Sequence, residues 1–400
     1  MPTKLSSLSL VQALALLILI AFGVNFAGLG LWILIGGCVA LFILKRDLVI
    51  PTTKQFLVVL LFSISYSACS VIFGGLTEQA VYLWLISIAI ISAYLIGWNW
   101  QKIFPGATAS SVMILFGLSF AAHGLLNYFY SLQLGVGNSG FCFDFWSKSH
   151  SASTAQGVLF TPLVSVVWII LLQHRSLAVK VATFITLLFA VRYNFMLGGR
   201  SFLLLLALAA FTFLLIKITF SADSVGDAIK NLLVVCLILF LILFLYQKNV
   251  FNLKNTFEDS YMAHRFKYQS VAEDDRATRW VYYASHFSQG IFGGNKISIS
   301  SGYGYAHNLW LDVFDQAGLI PFLMLLVLSF SSVAQGIRTA FSVSRYEGLH
   351  AASFFVIYFS QFFIEPILQG SPYFFISFVF ITGLFNSLNQ AYLTEWSCYE

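Results

Sequence analysis

LLVVCLILFLILFLY (232–246) breaks at Gln247 into QKNVFNLKNTFEDSYMAHRFKYQSVAEDDRATRWVYYASHFSQGIFGGNKISISSGYGYAHN (247–308), and a new apolar run follows at once. The stretch 247–307 holds seven of the 21 Lys and Arg residues, five of the 16 Asp and Glu and three of the seven His. Lipid does not solvate such a density of charge, so the island lies in water or among headgroups while its flanks lie in hydrocarbon. Chemistry on a water-soluble group has room here, and in whatever charges face the island from neighbouring helices.

Outward from the island the chain is uniformly apolar. Of 400 residues 59% are hydrophobic and only 9% charged, where a soluble domain carries about a quarter; mean hydropathy is +0.85. The 42 Phe read as compositional bias rather than as a site. Basic residues scattered through short loops exclude a nucleic-acid interface. Cys38, Cys69, Cys142, Cys236 and Cys398 show no metal-ligand spacing, so neither a disulfide framework nor a structural zinc is expected. Lys4 before the run from Leu8 to Val24 resembles a signal peptide, but no cleavage signal precedes the next run, and it reads as an uncleaved first span.

A helix needs about 17–25 apolar residues to cross the hydrocarbon core. Twelve segments qualify: about 8–24, 28–44, 56–73, 80–98, 107–130, 157–173, 178–196, 201–219, 230–247, 308–333, 350–365 and 372–392. The expected fold is therefore an all-α polytopic membrane protein, one integral domain over 1–400. It has about 12 transmembrane helices and one large loop, 247–307, carrying short amphipathic helices. With the N-terminus in the cytoplasm, the inner connections hold Lys4, Lys45, Arg46, Lys54, Lys102, Arg175, Lys180, Lys217, Lys230, Arg338 and Arg345. The short outer ones hold only Lys148, Arg192 and Arg200. The positive-inside rule thus puts both termini inside and the island outside.

Arg192 and Arg200 run against that bias, eight residues apart and beside Gly198-Gly199. Arg200 reads as an interfacial anchor or, with a bend at the Gly pair, as a guanidinium presented to a cavity. From Glu273-Asp274-Asp275 to about Gln289 an amphipathic segment sets Arg276 and Trp280 at i and i+4, on one face. The plain account makes it a surface helix whose Trp280, Tyr282, Tyr283 and Phe287 touch headgroups. His307 and Asn308 open the next run: a solvated interfacial histidine, or a proton acceptor near arginines. Asp312 and Asp315 either orient it or cap the helix start. Glu365, before Pro366, is a helix-end charge or the partner of an arginine, and His123 reads as a buried, hydrogen-bonded histidine.

Taken in order, Gly199-Arg200-Ser201, Arg276 with Trp280, and His307-Asn308-Leu309-Trp310-Leu311 followed by Gly318-Leu319-Ile320 resemble the O-antigen polymerase and O-antigen ligase superfamily of bacterial envelope biogenesis. Phe287-Ser288-Gln289-Gly290-Ile291-Phe292-Gly293 is similar to the family's aromatic-Gly turn, without the proline common there. The resemblance covers about residues 185–330.

It implies a metal-independent, inverting glycosyltransferase without a cofactor, in the bacterial inner membrane with its active site on the periplasmic side. The implied donor is a glycan on undecaprenyl diphosphate. The implied acceptor is another lipid-linked glycan for a polymerase, the reading preferred here, or lipid A-core for a ligase. Membrane lipids and a chain-length regulator protein are the other implied partners. In this reading His307 is the general base, and Arg200 and Arg276 bind the leaving diphosphate. Arg192 and Arg279 are further phosphate contacts, with Asn308, Asp312 and Glu365 in support. The loop from Asp144 to Gly157 would bear on acceptor choice. A polysaccharide or lipid transporter is the rival from another class. Paired broken helices and midplane charges would mark it, and no internal repeat is evident. A metal-dependent protein-mannosylation or oligosaccharyltransferase type wants acidic residues in the first outer loop, and residues 24–28 contain none.

Overall fold

Lipid offers the backbone no hydrogen-bond partners, so apolar runs close their amides within helices, and the chain is mostly helical. The computed structural model describes residues 8–136, 140–220, 225–268, 276–342 and 345–397. Among these, seven helices are long and apolar enough to cross a membrane: Lys54–Ile72, Thr77–Trp98, Ala109–Gln133, Ala155–Gln173, Leu177–Leu197, Leu319–Thr339 and Pro372–Gln390. Leu10–Gly23, Gly30–Leu44, Arg200–Ile216 and Gly348–Ile364 are shorter apolar helices.

In chain order, α1 (Leu10–Gly23) packs on α2 (Gly30–Leu44) and α3 (Lys54–Ile72) on α4 (Ala80–Trp98), followed by short α5 (Trp100–Ile103) and long α6 (Ala109–Gln133). An antiparallel hairpin, β1 (Phe141–Phe143) with β2 (His150–Ala152), pairs Cys142 with Ser151. Then come α7 (Ser153–Val158), α8 (Thr161–Val164), α9 (Val167–Gln173), α10 (Leu177–Leu197), α11 (Arg200–Phe220) and α12 (Val225–Gln247). The polar island carries α13 (Leu253–Glu258), α14 (Tyr261–Tyr268), α15 (Arg276–Ser285) and α16 (Lys296–Ser301). The chain ends through α17 (Leu309–Ala317), α18 (Leu319–Ser342), α19 (Arg345–Ile364), α20 (Ile367–Gly370) and α21 (Pro372–Ser397). Side-chain oxygens of Ser9, Thr53, Thr108 and Ser176 take otherwise unmet amides at the starts of α1, α3, α6 and α10, the usual N-cap role.

α21 is the central post, mostly buried over Pro372–Gln390, and it packs most closely on α4. Glycine allows that approach: a Cβ at Gly97 would run into the Phe380 carbonyl, and one at Gly383 would sit 2.6 Å from the Tyr94 carbonyl oxygen. Without a hydrophobic drive between helices in lipid, such backbone contact is how spans associate. One large apolar cluster joins α1–α4, α6 and α17–α21; a second joins α6 to α8–α11 and α19.

Two expected segments are divided. The run 308–333 breaks at Gly318, where φ is +88° and a Cβ would lie 2.7 Å from the Ile291 carbonyl oxygen. Its first part, α17, is a short helix buried on nearly every side against α3, α18 and α19. The run 157–173 is built from α7, α8 and α9, with Pro162 at the start of α8, where its missing N–H is harmless. In the island, Glu273, Asp274 and Asp275 lie outside the described residues. Of the four aromatics expected at headgroups, three pack against protein. Tyr283 is buried, Phe287 stacks on Phe314 at 3.8 Å, and Trp280 Nε1 donates to the Ala306 carbonyl at 3.0 Å.

Candidate functional site

The site begins at the N-terminus of α17. Asn308 Oδ1 accepts the Leu311 amide at 3.2 Å and caps the helix. One turn on, Asp312 reaches back: Oδ1 accepts the Ala306 amide at 2.7 Å and Oδ2 the Asn308 amide at 3.0 Å. Those amides flank His307, whose φ of +55° is left-handed. That conformation costs a residue with a Cβ roughly 1–2 kcal/mol and persists where its surroundings over-determine it. Here Trp280 holds the Ala306 carbonyl, and Arg279 Nη1 donates to the carbonyls of Tyr303 and Tyr305, each at 3.2 Å.

The His307 ring is turned to the end of α19. Its Nδ1 lies 3.7 Å from Glu365 Oε2, while Glu365 Oε1 accepts from Arg276 Nη2 at 3.1 Å. Glu365 is 2% exposed, Arg276 27% and His307 23%. Nδ1 and Oε2 are both buried and neither makes a hydrogen bond; 3.7 Å is too long for one. Contacts of this length commonly tighten when substrate closes a site. One buried carboxylate thus faces a guanidinium with one oxygen and an imidazole with the other, a geometry suited to orienting a base beside a cation.

Burial is the main cause that pushes Asp312 up to about 7; the Asn308 and Ala306 amides pull it down, and the charges of Asp315 and Glu365 push it up. Asp315 does a parallel job one turn along, accepting the Ile297 amide at 2.8 Å and the Ser298 amide at 3.0 Å. The two aspartates of α17 therefore fasten the segment from Asn295 to Asn308 to a buried helix.

Arg200 follows the Gly198-Gly199 turn. Gly198 has φ +71°, and a Cβ there would lie 2.6 Å from Tyr261, so this position requires glycine. Arg265 Nη1 donates to the Gly198 carbonyl at 2.8 Å, and the Arg200 guanidinium stands 6.0 Å from the centre of the Phe266 ring. α11 packs along α19, and Ile364, next to Glu365, joins the apolar cluster that holds Leu197 and Phe202. Of the residues expected to share a site, Arg276, His307, Asn308, Asp312 and Glu365 come together. Arg279 adjoins them, engaged with two carbonyls. Arg200 meets α14, and Arg192 is exposed on α10.

Sequence reasoning left His123 without a partner. Its Nε2 lies 2.8 Å from Asp144 Oδ2, the two joined where β1 turns the chain back toward α6. Asp144 Oδ1 also accepts the Trp146 amide at 3.0 Å and the Ser147 amide at 2.8 Å. Asn127 links the same turn to α7, donating to Gln156 Oε1 at 2.8 Å and accepting the Phe145 amide at 2.7 Å. Arg265 stands in the run His264-Arg265-Phe266-Lys267, where no motif marks it. No protein-family model matches the chain, and no curated protein does so either.

Proposed function

We propose that the chain is an O-antigen polymerase-type glycosyltransferase, joining glycan units carried on undecaprenyl diphosphate. The single observation that carries this reading is the Glu365 carboxylate shared by His307 and Arg276. It supports a base and an anion-binding cation held within one group's reach. In this reading the chain spans the inner membrane about 12 times, both termini in the cytoplasm and the site on the periplasmic side. The positive-inside bias supports that orientation.

The acceptor hydroxyl loses its proton to His307 Nε2 as its oxygen bonds to the anomeric carbon of the donor. The bond from that carbon to the diphosphate breaks with inversion, and undecaprenyl diphosphate leaves with the electron pair. Arg276, with Arg200, takes up the developing charge in a site drier than bulk water. A diphosphate is a stronger partner for Arg276 than one carboxylate. Its arrival frees Glu365 to accept from His307 Nδ1–H, which fixes the tautomer that leaves Nε2 basic. Arg279, tied to the Tyr303 and Tyr305 carbonyls, shapes the turn that bears His307.

The test is deletion of the gene and analysis of lipopolysaccharide on a gel. Loss of the long ladder with one repeat unit retained supports a polymerase; bare core marks a ligase. An unchanged ladder counts against both. Arg200→Ala, expressed at wild-type level, should lose the ladder as the deletion does; full complementation removes it from the site.

A further inference from the structure

Trp280 and Tyr283 of α15 pack inward, Phe266, Tyr268, Val281 and Tyr305 are exposed along the island, and a further exposed apolar group lies in the turn after α15. Ile291, Phe292 and Ile299 are all exposed, Phe292 by 65% and Ile299 by 76%. They sit in the turn and short helix between Gly290 and Ser301, where a water-soluble loop would place polar side chains. Their position explains them. The Ile291 carbonyl accepts the Leu319 amide at 2.9 Å, at the first residue of α18. The Phe292 ring lies 6.2 Å from that of Phe73, just past the end of α3.

α3 and α18 pack together and each exposes an apolar stripe at helical spacing. On α18 it is Ile320, Leu323, Val327 and Phe330; on α3 it is Leu57, Leu61, Ile64 and Ile72. In spans of this length such stripes face hydrocarbon. The exposed side chains of the turn continue both stripes past the ends of the helices. Lys296 is exposed three positions before Ile299, suited to hold a headgroup phosphate while its stem lies on apolar surface.

We infer that Ile291, Phe292 and Ile299 form a foot that dips into the lipid interface at the common end of α3 and α18. Its partner is a phospholipid surface, recognised by apolar insertion with Lys296 at the phosphate level. The foot is rigidly joined to the buried helix that carries the site. Gly294 N–H donates to the Gln316 carbonyl at 3.1 Å, Asn295 N–H to the Asp315 carbonyl at 2.8 Å, and the Asp315 carboxylate accepts the Ile297 and Ser298 amides of α16. Membrane depth at the foot therefore sets the depth of α17 and of the His307 turn. None of this depends on the transferase reading.

The experiment places the photoreactive residue benzoylphenylalanine at 292 or 299 in the full-length protein, reconstituted in phosphatidylethanolamine and phosphatidylglycerol vesicles. Position 64, exposed midway along α3, serves as a hydrocarbon control and position 278, exposed on α15, as a water control. After irradiation, mass spectrometry should find phospholipid adducts at 292 and 299 at a yield within about threefold of position 64, and none at 278. Yields at both foot positions as low as at 278 overturn the proposal. Adducts to a second copy of the chain overturn it too, since the face is then a protein interface. Two separate positions keep the test open if one substitution disturbs folding.

Discussion

Asp312 holds His307 from both sides, its two carboxylate oxygens taking the amides before and after the histidine at 2.7 and 3.0 Å. The strained turn and the buried charge explain each other. A left-handed His307 directs both flanking amides to one point, and that point is where a carboxylate from the next turn of α17 arrives.

Strain at His307 separates stability from activity. Glycine adopts φ +55° without the Cβ clash, so His307→Gly should be more stable than His307→Ala by roughly 1 kcal/mol. On the proposed function neither should transfer glycan, because both lack the proposed base. Thermal unfolding in detergent compares the two; an alanine variant as stable as the glycine one removes the strain argument, and an active one removes the base.

The buried Asp312 predicts a pH dependence of definite sign. Its folded value, pushed up to about 7, exceeds an unfolded carboxylate's of about 3.9. Between these limits the folded chain holds the extra proton, so Asp312 lowers stability as pH rises from about 4 to 7, by up to about 4 kcal/mol. Asp312→Asn lacks that slope, although its amide cannot accept both N–H groups. The difference in melting temperature between wild type and variant, followed from pH 5 to 8, should shift toward the variant as pH rises. A difference that is constant with pH contradicts the assignment.

Glu365 and Arg276 should be coupled. Arg276→Ala leaves a carboxylate that is 2% exposed without its guanidinium, and breaking a buried pair costs about 3–5 kcal/mol. Arg276 is itself a quarter exposed, so a loss of about 1–3 kcal/mol is expected here, after discounting for solvent screening. Arg276→Ala combined with Glu365→Gln should recover much of it. A double-mutant cycle in which the two effects simply add shows that the contact contributes nothing.

Much of this was legible from residue order, for physical reasons. Apolar runs bounded by Gly and Pro mark helices because lipid leaves the backbone no alternative. The pairing of Arg276 with an acidic residue was among the readings open for Glu365. What spacing could not show was which face of α15 is buried: Trp280, Tyr282, Tyr283 and Phe287 suit a headgroup layer and a protein core equally well. Their destination was decided by Phe314 and Ala306, which the chain brings up only after a further turn. The break at Gly318 was hidden for a similar reason, since a glycine inside an apolar run shows its φ only when another backbone, that of Ile291, comes close.

The pairing of His123 with Asp144 predicts the opposite pH behaviour from Asp312. Burial alone would raise Asp144, but the hydrogen bond and charge of His123, with the Ser147 amide, outweigh it and hold the carboxyl well below the usual range. Its contribution is therefore complete above the unfolded value of about 3.9 and is lost as pH falls through the lower folded one. Asp144→Asn retains an acceptor for the Trp146 and Ser147 amides and loses the charge facing His123. A hydrogen bond to a charged group contributes about 1.5–3 kcal/mol, so a loss of that order is expected at neutral pH, narrowing as the solution is acidified toward pH 3. Proteolysis between Gly140 and Ser153 at neutral pH provides a local readout, because Asp144 and Asn127 pin that hairpin to α6. Faster cleavage in Asp144→Asn with the rest of the chain intact is the expected result; cleavage at the wild-type rate shows that the pair does not hold the hairpin.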